Sequence, residues 1–362
     1  MRRRPLRGLA AGRRPAPDRI FFLSHWFSDH NNPRYAELIP RLDRLDAHLA
    51  IVPTQKLLRR ITFRAISKSR PFAEPRLLRL AARRYHGLFT TENEQIPHFS
   101  GPIVSDVDDP KFTEREAALL SAPNVQAYVV TEERAARRFQ ELGVETTYHV
   151  IPQGVDVSAL RSEDAAAVAR ARREPGDFVA GYMAAWLLAD GDRGGHNALY
   201  NVEHLLELWP EIHARVPNAK LWLLGGASKQ VQERARSLPG LELLGRIPRE
   251  QLLAHVANFD VGLYPRAQDQ GIQSVKIAEY MGVGVPTVAY DYEVTQVVRE
   301  SGAGILVESP RDFVDAVARL AGDSAERARL ADVSLAYGRS IDWRVLAERY
   351  NQVLDRHIPP RR

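Results

Sequence analysis

Ser274, Lys276 and Glu279 stand close together in the run Ser274-Val275-Lys276-Ile277-Ala278-Glu279-Tyr280-Met281-Gly282-Val283-Gly284-Val285-Pro286. A polar, glycine-containing loop from Gln268 to Gln273 precedes it, and Ser274 is a good N-cap residue. A helix opening there turns the free N–H groups around Gln273, Ser274 and Val275, and the positive end of its dipole, toward the loop. That arrangement suits a diphosphate. Lys276 would add a full charge, and Glu279, one turn in, would accept from a ribose diol as acidic residues do in dinucleotide-binding folds. Gly282, Gly284 and Pro286 then end the helix and lead into a strand. An ordinary amphipathic helix with a glycine stop reads equally well from spacing alone.

Two clusters in the first half have chemistry-bearing residue types at the ends of apolar runs. Asp106, Asp108 and Asp109 follow Pro102-Ile103-Val104-Ser105. A carboxylate there would orient a sugar hydroxyl, or Asp109 would cap the next helix. Asp106 and Asp108, two residues apart, also raise a metal site. His25, Trp26, Asp29, His30, Asn31 and Asn32 follow an apolar strand-like run. They suit contact with a polar acceptor, or a capped turn before Pro33. Lys56, Arg60, Arg64 and Lys68 recur every fourth residue beside Leu57, Ile61 and Ala65, and Arg76, Arg79 and Arg83 repeat the theme. This stripe suits anionic lipid headgroups or a lipid-linked acceptor. No nucleic-acid-binding motif accompanies it, so nucleic acid is not expected, and a solvated face is the plain alternative.

These residues need elements to hold them. Apolar runs alternate with amphipathic stretches along all 362 residues, the pattern of βα units and mostly parallel sheets, and the length fits two α/β domains. Strands are expected at 20–24, 49–52, 87–90, 103–107, 127–131 and 147–151, then at 178–183, 220–224, 241–244, 261–264, 286–289 and 304–307. Helices are expected at 34–45, 55–66, 75–85, 113–121 and 132–142 in the first array. The second array carries them at 201–216, 229–237, 249–257, 274–282, 294–300 and 310–321, with 324–337 and 343–357 closing the chain. Ligands of such sheets bind at carboxyl ends of strands, so two arrays place the natural site in the cleft between them. The first 90 residues hold 20 Lys and Arg against 6 Asp and Glu, whereas the remainder holds 30 against 39. That asymmetry points to an anionic partner or surface met by the first half. With no cysteine there is neither a disulfide framework nor thiolate chemistry. No stretch approaches the length of an apolar membrane span, and residues 1–18, with six arginines and no apolar core, read as a disordered basic tail.

Taken in order, the motifs resemble those of one family. SVKIAEYMGVGVPTVA at 274–289 is similar to the lysine…glutamate–tyrosine–methionine…glycine–x–proline segment of retaining glycosyltransferases with the GT-B fold, the family-4 (glycosyl transferases group 1) type. IPQGVD at 151–156 resembles the family's domain junction, LWLLGG at 221–226 its central strand and glycine turn, and LGRIP at 244–248 its turn beside the nucleotide base. Asn201-Val202-Glu203 and Trp343…Arg349-Tyr350 also fit. The resemblance implies an α/β GT-B fold of two facing Rossmann-like domains with a deep interdomain cleft. After the basic tail at 1–18, it implies an acceptor domain at 19–155, a linker at 156–176, a nucleotide-sugar domain at 177–340 and a helix at 341–362 crossing back.

The implied reaction moves a sugar from a UDP- or GDP-linked donor to the hydroxyl of a saccharide or lipid-linked acceptor, retaining and metal-independent, with no resident cofactor. The implied setting is cytoplasmic, peripheral at the inner membrane face. The implied donor site comprises Gly245, Arg246, Ile247, Gln273, Ser274, Val275, Lys276, Glu279 and Arg193. The implied acceptor site comprises His25, Asp29, Asn31, Asp108 and Asp109. Asp108 and Glu279 are the expected catalytic pair, and Lys56, Arg60, Arg64 and Lys68 the expected membrane-surface stripe. The chain departs from the family at three points. Gly271 stands where an acidic residue is usual, Met183-Ala184-Ala185-Trp186 where the donor-phosphate arginine is usual, and Tyr200 where the phosphate lysine is usual. A non-catalytic GT-B binding protein and a nucleotide-sugar epimerase are the alternatives.

Overall fold

Each apolar run pairs with its neighbours through parallel ladders, and the result is two six-stranded sheets. The computed structural model describes residues 18–24, 33–49, 56–157, 173–189, 201–266 and 274–360, with residues 33, 49, 56–67 and 69 described by backbone alone. The chain divides into one unit of residues 1–152 plus 343–362 and a second of residues 153–342.

In the first unit β1 (Ile20–Ser24), β2 (Leu45–Leu49), β3 (Gly87–Thr90), β4 (Ile103–Val107), β5 (Val125–Val130) and β6 (Tyr148–Val150) lie in the order β2-β1-β3-β4-β5-β6. Its helices are α1 (Pro33–Leu38), α2 (Lys56–Ala81), α3 (Glu114–Leu120) and α4 (Glu133–Glu141). The second unit places β7 (Phe178–Leu187), β8 (Ala219–Ala227), β9 (Leu241–Gly245), β10 (Val261–Tyr264), β11 (Thr287–Tyr290) and β12 (Gly304–Val307) in the order β12-β11-β10-β7-β8-β9. Read from β9, that is the 3-2-1-4-5-6 order of a dinucleotide-binding sheet, with its switch point between β7 and β10. Its helices are α5 (Val202–Arg215), α6 (Lys229–Arg236), α7 (Arg249–Val256), α8 (Val275–Gly282), α9 (Gln296–Ser301), α10 (Pro310–Gly322) and α11 (Ser324–Ser340). The last helix, α12 (Trp343–His357), belongs to the first unit.

The central strands are buried along their length, as sheets covered on both faces require. Three elements differ from the sequence expectation. The strand expected at 49–52 is Leu45–Leu49, because its register against β1 runs from Ile20↔Leu45 to Ser24↔Leu49. An edge strand needs only one buried face, so the most continuous apolar run was a poor guide. The helix expected at 34–45 stops at Leu38 and tightens into a 3₁₀ turn, Ile39–Arg41, since Pro40 has no N–H to continue the ladder. The helices expected at 55–66 and 75–85 are one helix, α2, with Pro71 and Pro75 inside it. Buried Glu74, bonded by Arg70 at 2.7 Å and by Gln95 at 2.7 Å, and buried Leu78 hold that segment down. Tertiary anchoring there overrides the proline signal.

Candidate functional site

In the second unit the site is built at the switch point. β10 ends in Tyr264-Pro265-Arg266, and β7 beside it ends in Trp186-Leu187. α8 opens at Ser274, whose hydroxyl accepts from the Lys276 N–H at 3.3 Å, so the expected N-cap is formed. The Lys276 ammonium lies 6.0 Å from the centre of the Tyr182 ring on β7. Burial, together with the nearby Arg266 charge and against the opposing pull of Glu279, pushes that ammonium down to about 7. Arg266 is itself buried, its guanidinium 5.9 Å from the Tyr264 ring. Two cations thus converge where a helix N-terminus meets the carboxyl end of β10, the electrostatics that an anion with more than one charge requires.

Glu279 is 4% exposed and accepts through Oε1 from Nη1 of Arg249. Arg249 opens α7 just after the Gly245-Arg246-Ile247-Pro248 turn, so that turn positions the carboxylate of α8. Within the same motif Tyr280 and Met281 are core residues. Tyr280 donates to the Leu263 carbonyl at 3.3 Å, and its ring fills the space that a Cβ at Gly262 would need. Gly282 lets α8 approach Val155 of the IPQGVD run, where an added Cβ would sit 2.5 Å from a Val155 methyl. Tyr280, Met281 and Gly282 of this motif therefore serve packing.

The turn after β9 carries a second feature. Gly245 has φ +70°, a conformation that favours glycine. The Arg246 guanidinium stands 5.0 Å from the ring of Trp186, which is 52% exposed and lies against Gly226. A groove of about 370 Å³ runs alongside, lined by Gly225, Gly226, Gln232, Arg236, Leu243 and Gly245. Ile247, by contrast, packs against the buried Val179–Trp222–Tyr280 cluster. Gln273 and Arg193 lie outside the described residues.

In the first unit β4 delivers its carboxylates to different tasks. Asp106 is 1% exposed and takes a two-pronged bond from Arg34, Nη2 at 3.1 Å and Nε at 3.2 Å. It also accepts from the Tyr350 hydroxyl at 2.9 Å. Burial disfavours a charged Arg34, but Asp106, Tyr350 and Tyr35 together outweigh it and keep the guanidinium protonated. Arg34 further donates to the carbonyls of Pro152 and Ile151 and lies 5.7 Å from the rings of Trp343 and of Tyr350. Breaking such a buried pair costs about 3–5 kcal/mol, so Asp106 acts as a structural carboxylate joining β4 to α1 and α12. Asp108 is half-buried and faces the Tyr35 hydroxyl, whose proton is held by burial and by the Asp108 charge. Asp109 is exposed and paired with Lys111. It does not cap the next helix: Thr113 does, accepting from the Glu116 N–H at 3.1 Å. His25, Asp29 and Asn31 lie outside the described residues. Of the basic stripe, Lys68 is exposed, and Lys56, Arg60 and Arg64 are described only as positions on α2.

Sequence reasoning missed Arg266, Arg249, Trp186, Arg34 and Tyr35. Arg266 had a signal, a cation directly after a strand and a proline. Arg249 and Arg34 had none, because their partners are distant in sequence.

Two Rossmann-like units of this construction define the GT-B fold. Residues 194–323, all in the second unit, match the family model described as Glycosyl transferases group 1. The whole chain is similar to Alr3699/HepE of Anabaena in complex with UDP, with TM-score 0.69 and 16% identity over 93% of this chain and 100% of that one. It is also similar to WaaG, a glycosyltransferase involved in lipopolysaccharide biosynthesis, with TM-score 0.61 and 12% identity over 92% and 99% of the two chains. The N-terminal domain of a trehalose-6-phosphate phosphatase from Candida albicans shares the fold, with TM-score 0.66 and 12% identity over 98% and 100%. Residues 194–323 thus match a glycosyl transferases group 1 domain, and the chain shares the GT-B fold of these structures.

Proposed function

We propose that this chain transfers a sugar from a nucleoside-diphosphate sugar, UDP-linked, to a hydroxyl of a saccharide or lipid-linked acceptor. The observation that carries the reading is the convergence of Arg266, Lys276 and the capped N-terminus of α8 at the switch point, with Glu279 one turn further on. The two cations and the helix N–H groups neutralise the leaving diphosphate, which is the largest electrostatic demand of the reaction. Arg266 thereby answers the missing family arginine and lysine, and this favours a catalytic protein over a binding-only one. Glu279, aimed by Arg249, takes the ribose diol, and the Arg246–Trp186 shelf lies on the base side. Structures of HepE hold UDP and UDP-glucose, which supports a uridine donor.

The acceptor is met by the basic first unit, where Asp108 orients a hydroxyl and exposed Asp109 stands beside it in sequence. Transfer proceeds with retention, as the resemblance implies, and without a bound metal, since Asp106 is committed to Arg34 and Tyr350. The setting is the cytoplasmic face of an anionic membrane. Release of UDP from a UDP-sugar, followed by coupled assay, tests the reading. Turnover should persist in a chelator and fall about 10- to 100-fold in Arg266→Gln, the loss of one charge-assisted contact. Abolition by chelator and rescue by added Mn²⁺ would contradict metal independence. Turnover undiminished in Arg266→Gln would contradict the assigned site.

A further inference from the structure

Asn201 holds a backbone conformation that starting a helix does not require. Among the described residues only Phe112 and Asn201 have a positive φ without being glycine, and Asn201 sits at φ +47°, ψ +43°. N-cap residues are ordinarily extended, and an asparagine there ordinarily spends its side chain on the N–H groups of the first turn. Asn201 occupies the N-cap of α5 without such a bond. Its carbonyl still starts the helix, accepting from the Leu205 N–H at 3.4 Å, and buried Val202, Leu205 and Leu206 anchor that turn in the core. The side-chain amide instead donates through Nδ2 to the Pro265 carbonyl at 3.2 Å, across 64 positions. Pro265 is buried and stands between Tyr264, the last residue of β10, and Arg266.

The Pro265 carbonyl shares a rigid peptide plane with the N–H of Arg266, so an amide that fixes the oxygen fixes the direction in which Arg266 leaves the strand. We propose, resting on the donor site assigned above, that Asn201 is a positioning residue whose left-handed backbone turns its amide onto the Pro265 carbonyl and so aims Arg266 at the diphosphate beside Lys276. Asparagine suits the task for two reasons. It enters the left-handed region more readily than most residues with a side chain. Its amide is also a neutral donor, which holds a carbonyl without placing a further charge beside an anion. The coupling leaves a mark on Lys276. After burial, the Arg266 charge is the second cause that lowers its ammonium to about 7, with Glu279 opposing. An Arg266 that turned away would leave Lys276 protonated to higher pH.

Titration calorimetry of UDP into the wild type, Asn201→Gly, Arg266→Gln and the double variant tests this. Glycine adopts the same backbone conformation and lacks only the amide, so the melting temperature of Asn201→Gly should stay near the wild-type value. Its affinity should fall about 3- to 10-fold, the value of one neutral hydrogen bond, against about 10- to 100-fold for Arg266→Gln. In the Arg266→Gln background the same change should cost nothing further, because the arginine that Asn201 aims is gone. Independent contributions would add instead. The fall of affinity with pH, which begins at about 7 in the wild type, should move upward in Asn201→Gly. Asn201→Asp, at ease in the same conformation but with no N–H to donate, should weaken binding at least as much. Wild-type affinity in Asn201→Gly, with Arg266→Gln impaired, would overturn the role of Asn201 and leave the donor site standing. So would an equal loss in both backgrounds with the pH profile unmoved. A wild type that binds no UDP would overturn both.

Discussion

Glu279 is a buried carboxylate on α8 with one oxygen committed to Arg249. Glu279→Ala should weaken nucleotide affinity about 10- to 100-fold in a folded protein, the value of a buried charged hydrogen bond. Calorimetry that gives wild-type affinity for the variant would remove Glu279 from the site. Lys276 makes a pH prediction. Its ammonium is lowered from 10.5 to about 7, with burial the largest cause. Below about 7 the lysine is charged in the free protein and attracts the diphosphate. Above it the group is neutral, and binding has to take up a proton. Affinity should therefore fall as pH rises from about 7 toward 10, with proton uptake on binding, and Lys276→Met should flatten the profile. The folding sign is opposite. Between those values the unfolded chain holds a proton that the native chain lacks, so stability rises with pH across the window. A pH-independent affinity in the wild type would contradict the placement of Lys276. At this scale the N-cap at Ser274, with Lys276 and Glu279 on the helix it opens, was legible from type and spacing. Arg249, which aims Glu279, was not, because a contact across 30 positions leaves no local pattern.

The elements were legible wherever both faces of a strand are buried. β1, β3, β4, β10 and β12 fall at the expected residues, since a continuous apolar run between turns has one reading. α2 shows the opposite case. Two prolines argue for a break, yet the helix continues because Glu74 and Leu78 are anchored from outside it. α8 is likewise set by its neighbours. Gly338 of α11 lies so close that an added Cβ would meet the Met281 carbonyl oxygen at 2.3 Å, and backbone cannot move aside as a side chain would. Gly338→Ala should destabilise the protein by about 1–3 kcal/mol and weaken nucleotide binding by displacing α8. A thermal midpoint and an affinity both equal to wild type would show that α8 is not held this way.

Across the whole chain, charge and fold divide the labour. The first 90 residues carry the basic excess, and the first unit also gains α12, tied to it through Tyr350 on Asp106 and Arg44 on Asp355. The second unit carries the family match and the dinucleotide-type strand order. That order was not readable in advance, because strand order depends on which edges pair rather than on any run of residues. The central claim is that the second unit binds a nucleoside diphosphate through Arg266 and Lys276. Titration calorimetry of UDP into the wild type and into an Arg266→Gln, Lys276→Gln double variant tests it most directly. The account predicts one UDP per wild-type chain and loss of affinity by about 100-fold or more in a folded double variant. A wild type that binds no nucleoside diphosphate, or a double variant that binds UDP as tightly as the wild type, would contradict it.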